Sequence, residues 1–125
     1  MDKYEKLLKD LVEKTNGDKI QWEIISAEKY QRFLFNSQYI YQIYEADYIL
    51  KQQKYTAVLS RRKYPDDDEF GYNDGYSVDI MILKNNKIIF TLTQNHVDRD
   101  DLLDLASTVE EINTDTEEFF TKLDD

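Results

Sequence analysis

The chain has 125 residues, with 26 acidic and 16 basic side chains, a net charge of −10, 41% hydrophobic and 14% aromatic residues. A chain of this length buries roughly two-thirds of its unfolded surface, so residues 1–125 are expected to form one soluble, globular domain with a real core. The absence of cysteine excludes disulfide frameworks, thiolate metal sites and cysteine nucleophiles, while the charged start Met1-Asp2-Lys3-Tyr4-Glu5-Lys6 and the lack of any apolar run of ~20 residues point to a cytoplasmic protein rather than an exported or membrane-spanning one.

Tyr4, Leu7, Leu8, Leu11 and Val12 recur at helical spacing. They predict an amphipathic helix that ends at Asn16-Gly17, where a left-handed glycine would close it. In residues 19–25, Ile20, Trp22 and Ile24 alternate with polar neighbours, as in a half-buried strand. Residues 27–38 fit either a helical turn or the start of a strand. From Tyr39 the period becomes two, with Ile40, Tyr44, Ala46, Tyr48 and Leu50 on one face of a long strand. Residues 51–54 then form a tight connection to a second strand containing Tyr55, Ala57 and Leu59.

Residues 65–75 hold the only proline, two of the three glycines and a run of acids, which predicts a loop long enough to be a working surface. Tyr76, Val78, Ile80 and Ile82 alternate again, and after Asn85-Asn86 the run Ile88-Ile89-Phe90-Thr91-Leu92 completes the clearest hairpin signal in the chain. Asp98 or Asp100 is placed to cap a closing helix whose buried stripe is Leu102, Leu103, Leu105, Ala106, Val109 and Ile112. A short final helical segment after Thr116 is expected to bury Phe119, Phe120 and Leu123. Adjacent strands without intervening helices predict an α+β domain: an antiparallel sheet of about four to five strands with the N- and C-terminal helices packed on one face.

The charge is unevenly distributed. Residues 1–65 carry 12 basic and 9 acidic side chains, whereas residues 98–125 carry 2 and 11. Such a C-terminal field repels phosphate backbones and attracts cationic surfaces, so the expected partner is a basic protein, with no direct nucleic-acid contact and no membrane contact. Tyrosines on a sheet resemble RNA-stacking platforms, but Arg61-Arg62-Lys63 is the only dense basic cluster available to one.

Catalytic and metal patterns fail on their spacing. Counted as an EF-hand from Asp66, the loop has Phe70 at the fifth position and Ser77 at the twelfth, so the calcium motif is broken. A non-specific cation site in that loop remains open. Asp79 is followed by Ile80 and Met81, which removes the acid-x-lysine element of metal-dependent nucleases. His96 is the only imidazole, no serine elbow accompanies it, and three scattered glycines make neither a phosphate-binding loop nor a dinucleotide fingerprint. No metal, cofactor or catalytic residue is assigned, and the protein is read as a non-enzyme.

Ten tyrosines supply large contact areas with polar tips, the composition of interfaces. With Ile40, Tyr44 and Tyr48 facing the core, Tyr39 and Tyr41 are expected to point outward. The candidate partner-binding surface is therefore the acidic loop (Asp66, Asp67, Asp68, Glu69, Asp74), the C-terminal acids (Asp100, Asp101, Asp104, Glu110, Glu111) and the aromatic anchors Tyr39, Tyr41 and Tyr72. An exposed strand edge at residues 39–50 would also permit a homodimer.

Leu11-Val12-Glu13-Lys14-Thr15, then Lys19-Ile20-Gln21-Trp22-Glu23, then a tyrosine-rich strand region and an acidic C-terminal helix form an order that resembles uncharacterised small acidic proteins of phages and integrative mobile elements of Gram-positive bacteria. The resemblance supplies no catalytic residues. It implies a mobile-element context, in which small acidic proteins inhibit nucleic-acid-handling host proteins, anti-CRISPR proteins being one example. The functional expectation is an inhibitor whose carboxylates take the place of nucleic-acid phosphates on a basic surface of a host defence protein. The alternatives are an immunity protein neutralising a cognate toxin, or a small hydrolase with a carboxylate site that no motif announces.

Overall fold

A computed structural model describes residues 1–65 and 75–124. Its architecture is α+β: one five-stranded antiparallel sheet in simple sequential order, with an N-terminal and a C-terminal helix. The strands are β1 (Glu23–Ile25), β2 (Ile40–Leu50), β3 (Gln53–Lys63), β4 (Tyr76–Lys84) and β5 (Lys87–Leu92), and the helices are α1 (Lys3–Asn16) and α2 (Arg99–Asp124).

Asp2 caps α1 by accepting the Glu5 amide at 2.8 Å. The helix ends where expected but not as expected. Gly17 has φ −90°, and the left-handed residue is Asp18 at φ 60°. The amides of Lys19 and Ile20 turn back onto the Lys14 carbonyl at 2.8 and 3.2 Å, and the Trp22 indole donates to Thr15 Oγ1 at 2.9 Å. These bonds hold residues 19–22 against α1, which is why β1 is only three residues long.

The sheet buries both faces, each against a different cover. On the helix face, Tyr44, Ala46 and Tyr48 of β2, Ala57 and Leu59 of β3, Val78, Ile80 and Ile82 of β4, and Leu92 of β5 pack beneath Leu8 and Leu11 of α1 and Leu102, Leu105, Ala106 and Val109 of α2. On the other face, Ile43, Val58, Met81 and Leu83 lie under Tyr30 and Leu34. The segment left open by the sequence, residues 27–38, thus resolves into 3-10 turns at Ala27–Phe33 and Ser37–Tyr39 that cover this second face. Arg62 fixes the cover in place. Its buried guanidinium donates to the Phe35 carbonyl at 2.9 and 3.2 Å, to Ser60 Oγ at 3.0 Å and to the Asp79 carboxylate.

Two further expectations are corrected at the ends of elements. A bulge between Ile40 and Gln42 changes the phase of β2, so Ile40 packs on the second face rather than beside Tyr44. At the other terminus, α2 is a single 26-residue helix, and Phe119, Phe120 and Leu123 are exposed at 61, 56 and 68% instead of buried in a separate segment. The helix is about 39 Å long at 1.5 Å per residue and outruns the sheet. Among the described residues, no helix is long and apolar enough to cross a membrane.

Candidate functional site

The helix face leaves an open groove of about 820 Å³ between α1 and the start of α2. Helical periodicity builds it. Leu8 and Leu105 reach down to the sheet, and Val12 and Val97 complete an apolar floor. The acids on the solvent flanks of the two helices then converge from either side, Glu5 and Glu13 from α1 and Asp101 and Asp104 from α2, with Asp98 at the corner. Asp98 caps α2, its Oδ1 accepting the Asp100 amide at 2.8 Å. Lys9 also stands on the groove wall and lies 3.9 Å from Glu13.

His96 closes one end of this groove. Its Nδ1 accepts the Thr93 amide at 3.0 Å, which assigns the acceptor role to that nitrogen. The ring packs at a tilt against both members of the stacked pair Tyr4 and Phe90, with centroids at 4.6 and 5.1 Å, while those two rings lie 5.5 Å from each other. This is a packing role. Among the described residues, no three histidine, cysteine, aspartate or glutamate side chains converge in the manner of a metal site.

The sequence-predicted residues divide into three groups. Asp101 and Asp104 line the groove, and Asp100 stands just outside it, fully in solvent beside Arg99. Glu110 and Tyr39 make contacts within the fold, and Tyr41 does so while remaining 49% exposed, as expected of it. Glu110 accepts from Arg61 at 2.8 Å, and Tyr39 is half-buried against Tyr64 at 4.9 Å. Tyr41 does not point away from Tyr44. The β2 bulge turns its ring to the helix face, where it lies 5.2 Å from the Arg61 guanidinium and edge-on to Tyr76 at 6.2 Å. Burial holds the Tyr41 hydroxyl above the ordinary tyrosine range despite the nearby arginine. Glu111 is exposed on the part of α2 that projects past the core. The third group, Asp66, Asp67, Asp68, Glu69, Tyr72 and Asp74, lies outside the described residues.

Glu5, Glu13 and Asp98 were not anticipated as site residues. Their positions flanking apolar stripes are readable in the sequence, but their convergence with Asp101 and Asp104 depends on which helix lies beside which. Of the expected open edge at residues 39–50, β1 covers only Ile43–Glu45, so the rest of that side of β2 carries no paired strand among the described residues, and the opposite edge of the sheet is β5. Compared with known proteins, the chain matches no family model, no curated protein and no solved structure.

Proposed function

We propose that the protein acts by binding rather than catalysis, as an acidic module that docks on a basic surface of a partner protein, with the groove between α1 and α2 as the contact. The observation that supports this reading is the pairing of an apolar floor (Leu8, Val12, Val97, Leu105) with a rim of carboxylates. An apolar floor gives a desolvated anchor site, and the rim steers encounter and selects for lysine- and arginine-rich partners. A surface built to hold phosphates meets the same requirement, so the reading extends to inhibition of a nucleic-acid-binding host protein by occupation of its basic surface.

The test is affinity capture from host lysate by the tagged chain and by a variant carrying Glu13→Gln, Asp101→Asn and Asp104→Asn, at low and moderate salt, with identification of the captured proteins. The expected result is a basic partner that heparin displaces and that the triple variant retains roughly tenfold less well. Capture that neither heparin nor the substitutions alter would overturn the proposal.

A further inference from the structure

The projecting end of α2 carries a second surface, independent of the groove. Leu102, Leu105, Val109, Ile112, Thr116, Phe119 and Leu123 follow one another at alternating intervals of three and four residues, the spacing of a coiled-coil seam. The first three are buried on the sheet. The seam then runs on beyond it, and Ile112, Phe119 and Leu123 are exposed at 41, 61 and 68%. Thr116 bonds its own hydroxyl to the Ile112 carbonyl at 3.0 Å, which leaves its methyl group for packing.

We infer that this end, residues 112–123, pairs antiparallel with the same segment of a second copy of the chain. Three observations fix the occupant and its direction. First, the seam is occupied by the protein's own sheet up to Val109. A parallel helix would have to continue into that occupied stretch, whereas an antiparallel one overlaps only the free end. Second, the antiparallel register matches sizes: Ile112 meets the partner's Leu123, and the small Thr116 meets the bulky Phe119 of the partner subunit. Third, that register sets Asp115 beside the partner's Lys122, and the two-fold axis repeats the pair. Lys122 is the only base among residues 110–124, so the lone cation falls where the register places an acid. Glu117 and Glu118 occupy outward positions of the heptad, and their repulsion is directed into solvent. Antiparallel pairing also opposes the two helix dipoles.

The seam is about 16 Å long, which corresponds to four layers and a weak, reversible dimer. Sedimentation of the full chain across the micromolar to millimolar range is expected to show a monomer–dimer equilibrium. Asp115→Lys and Lys122→Asp should each weaken it by roughly tenfold or more, because each replaces two attractive pairs with two repulsive ones. An equimolar mixture of these two single variants should recover the dimer, since every pair is then attractive again, and the double variant should do the same alone. This rescue separates the proposal from misfolding and from non-specific apolar association. A chain that stays monomeric throughout, a dimer that ignores both substitutions, or a mixture that fails to recover it would each overturn the inference, as would a basic protein found on this end of a monomeric chain.

Discussion

Arg62 carries a guanidinium into the second face of the sheet with 4% of the residue exposed, and its bonds there tie β3 to two other pieces of chain. It reaches the Phe35 carbonyl in the covering segment, Ser60 on its own strand and Asp79 on β4. Burial pushes the Asp79 carboxyl above its ordinary value, and the Arg62 charge only partly restores it. Removing the acid leaves a cation out of water without its counterion. Asp79→Ala is therefore expected to cost about 3 kcal/mol, the low end of the range for a broken buried pair because Asp79 keeps some contact with solvent. Urea unfolding of the two proteins measures it. The sequence shows Arg61-Arg62-Lys63 as one basic cluster, but neighbouring strand residues point to opposite faces. Arg61 and Lys63 stay on the helix face, over Tyr41 and Tyr76, while Arg62 turns to the covering segment, so the cluster is split between the two faces.

Among the elements, the two hairpins show how far local chemistry reaches. Lys51-Gln52 and Asn85-Asn86 each place two successive residues at positive φ, the two-residue turn whose twist suits paired strands. Asparagine tolerates that backbone and signals the second turn directly. Lys51 and Gln52 do not favour it, and the first turn was legible only from the alternation on either side of it. The long helix is the reverse case. Its stripe from Leu102 to Leu123 is uniform in sequence, yet packing divides it into a buried half and an exposed half. Leu105→Ala should accordingly lower stability by about 2–5 kcal/mol, while Phe119→Ala in dilute protein should stay within about 0.5 kcal/mol. Thermal unfolding of both variants in parallel tests the division. Equal losses would mean that the end of α2 folds back onto the core.

At the scale of the whole molecule, two carboxylates tie layers together. Asp10 of α1 accepts from Tyr48 of β2 at 2.5 Å and from Lys14 at 2.9 Å. Glu45 of β2 accepts from Tyr30 and Lys29 of the covering segment, both at 2.7 Å. Burial raises both acids, but the hydrogen bonds and lysine charges outweigh it and hold them below their ordinary values of 3.8 and 4.5. The unfolded chain thus binds these two protons more readily than the folded one. Their contribution is complete above about pH 4.5 and is lost as the pH falls through the lowered folded values. Asp79 has the opposite sign and offsets part of that loss. The variant carrying Asp10→Asn and Glu45→Gln is expected to lose less stability between pH 5 and pH 3 than the parent protein, as followed by urea midpoints across that interval. A parallel pH dependence would remove these two residues from the acid response.

The sequence by itself determined the α+β class, the hairpins, the two helices and the acidic character of the C-terminal quarter. Each of these follows from local periodicity, turn chemistry or charge counting, which need no knowledge of neighbours in space. Tertiary structure decided what those methods do not reach. It turned Tyr41 onto the helix face through a one-residue bulge, folded residues 27–38 over the second face, joined Glu5 and Glu13 to Asp101 and Asp104 across a groove, and left Phe119, Phe120 and Leu123 beyond the sheet. The physical reason is common to all four. An apolar residue at the right spacing states that it requires a partner, and only the packed arrangement of distant segments determines whether one is there to meet it.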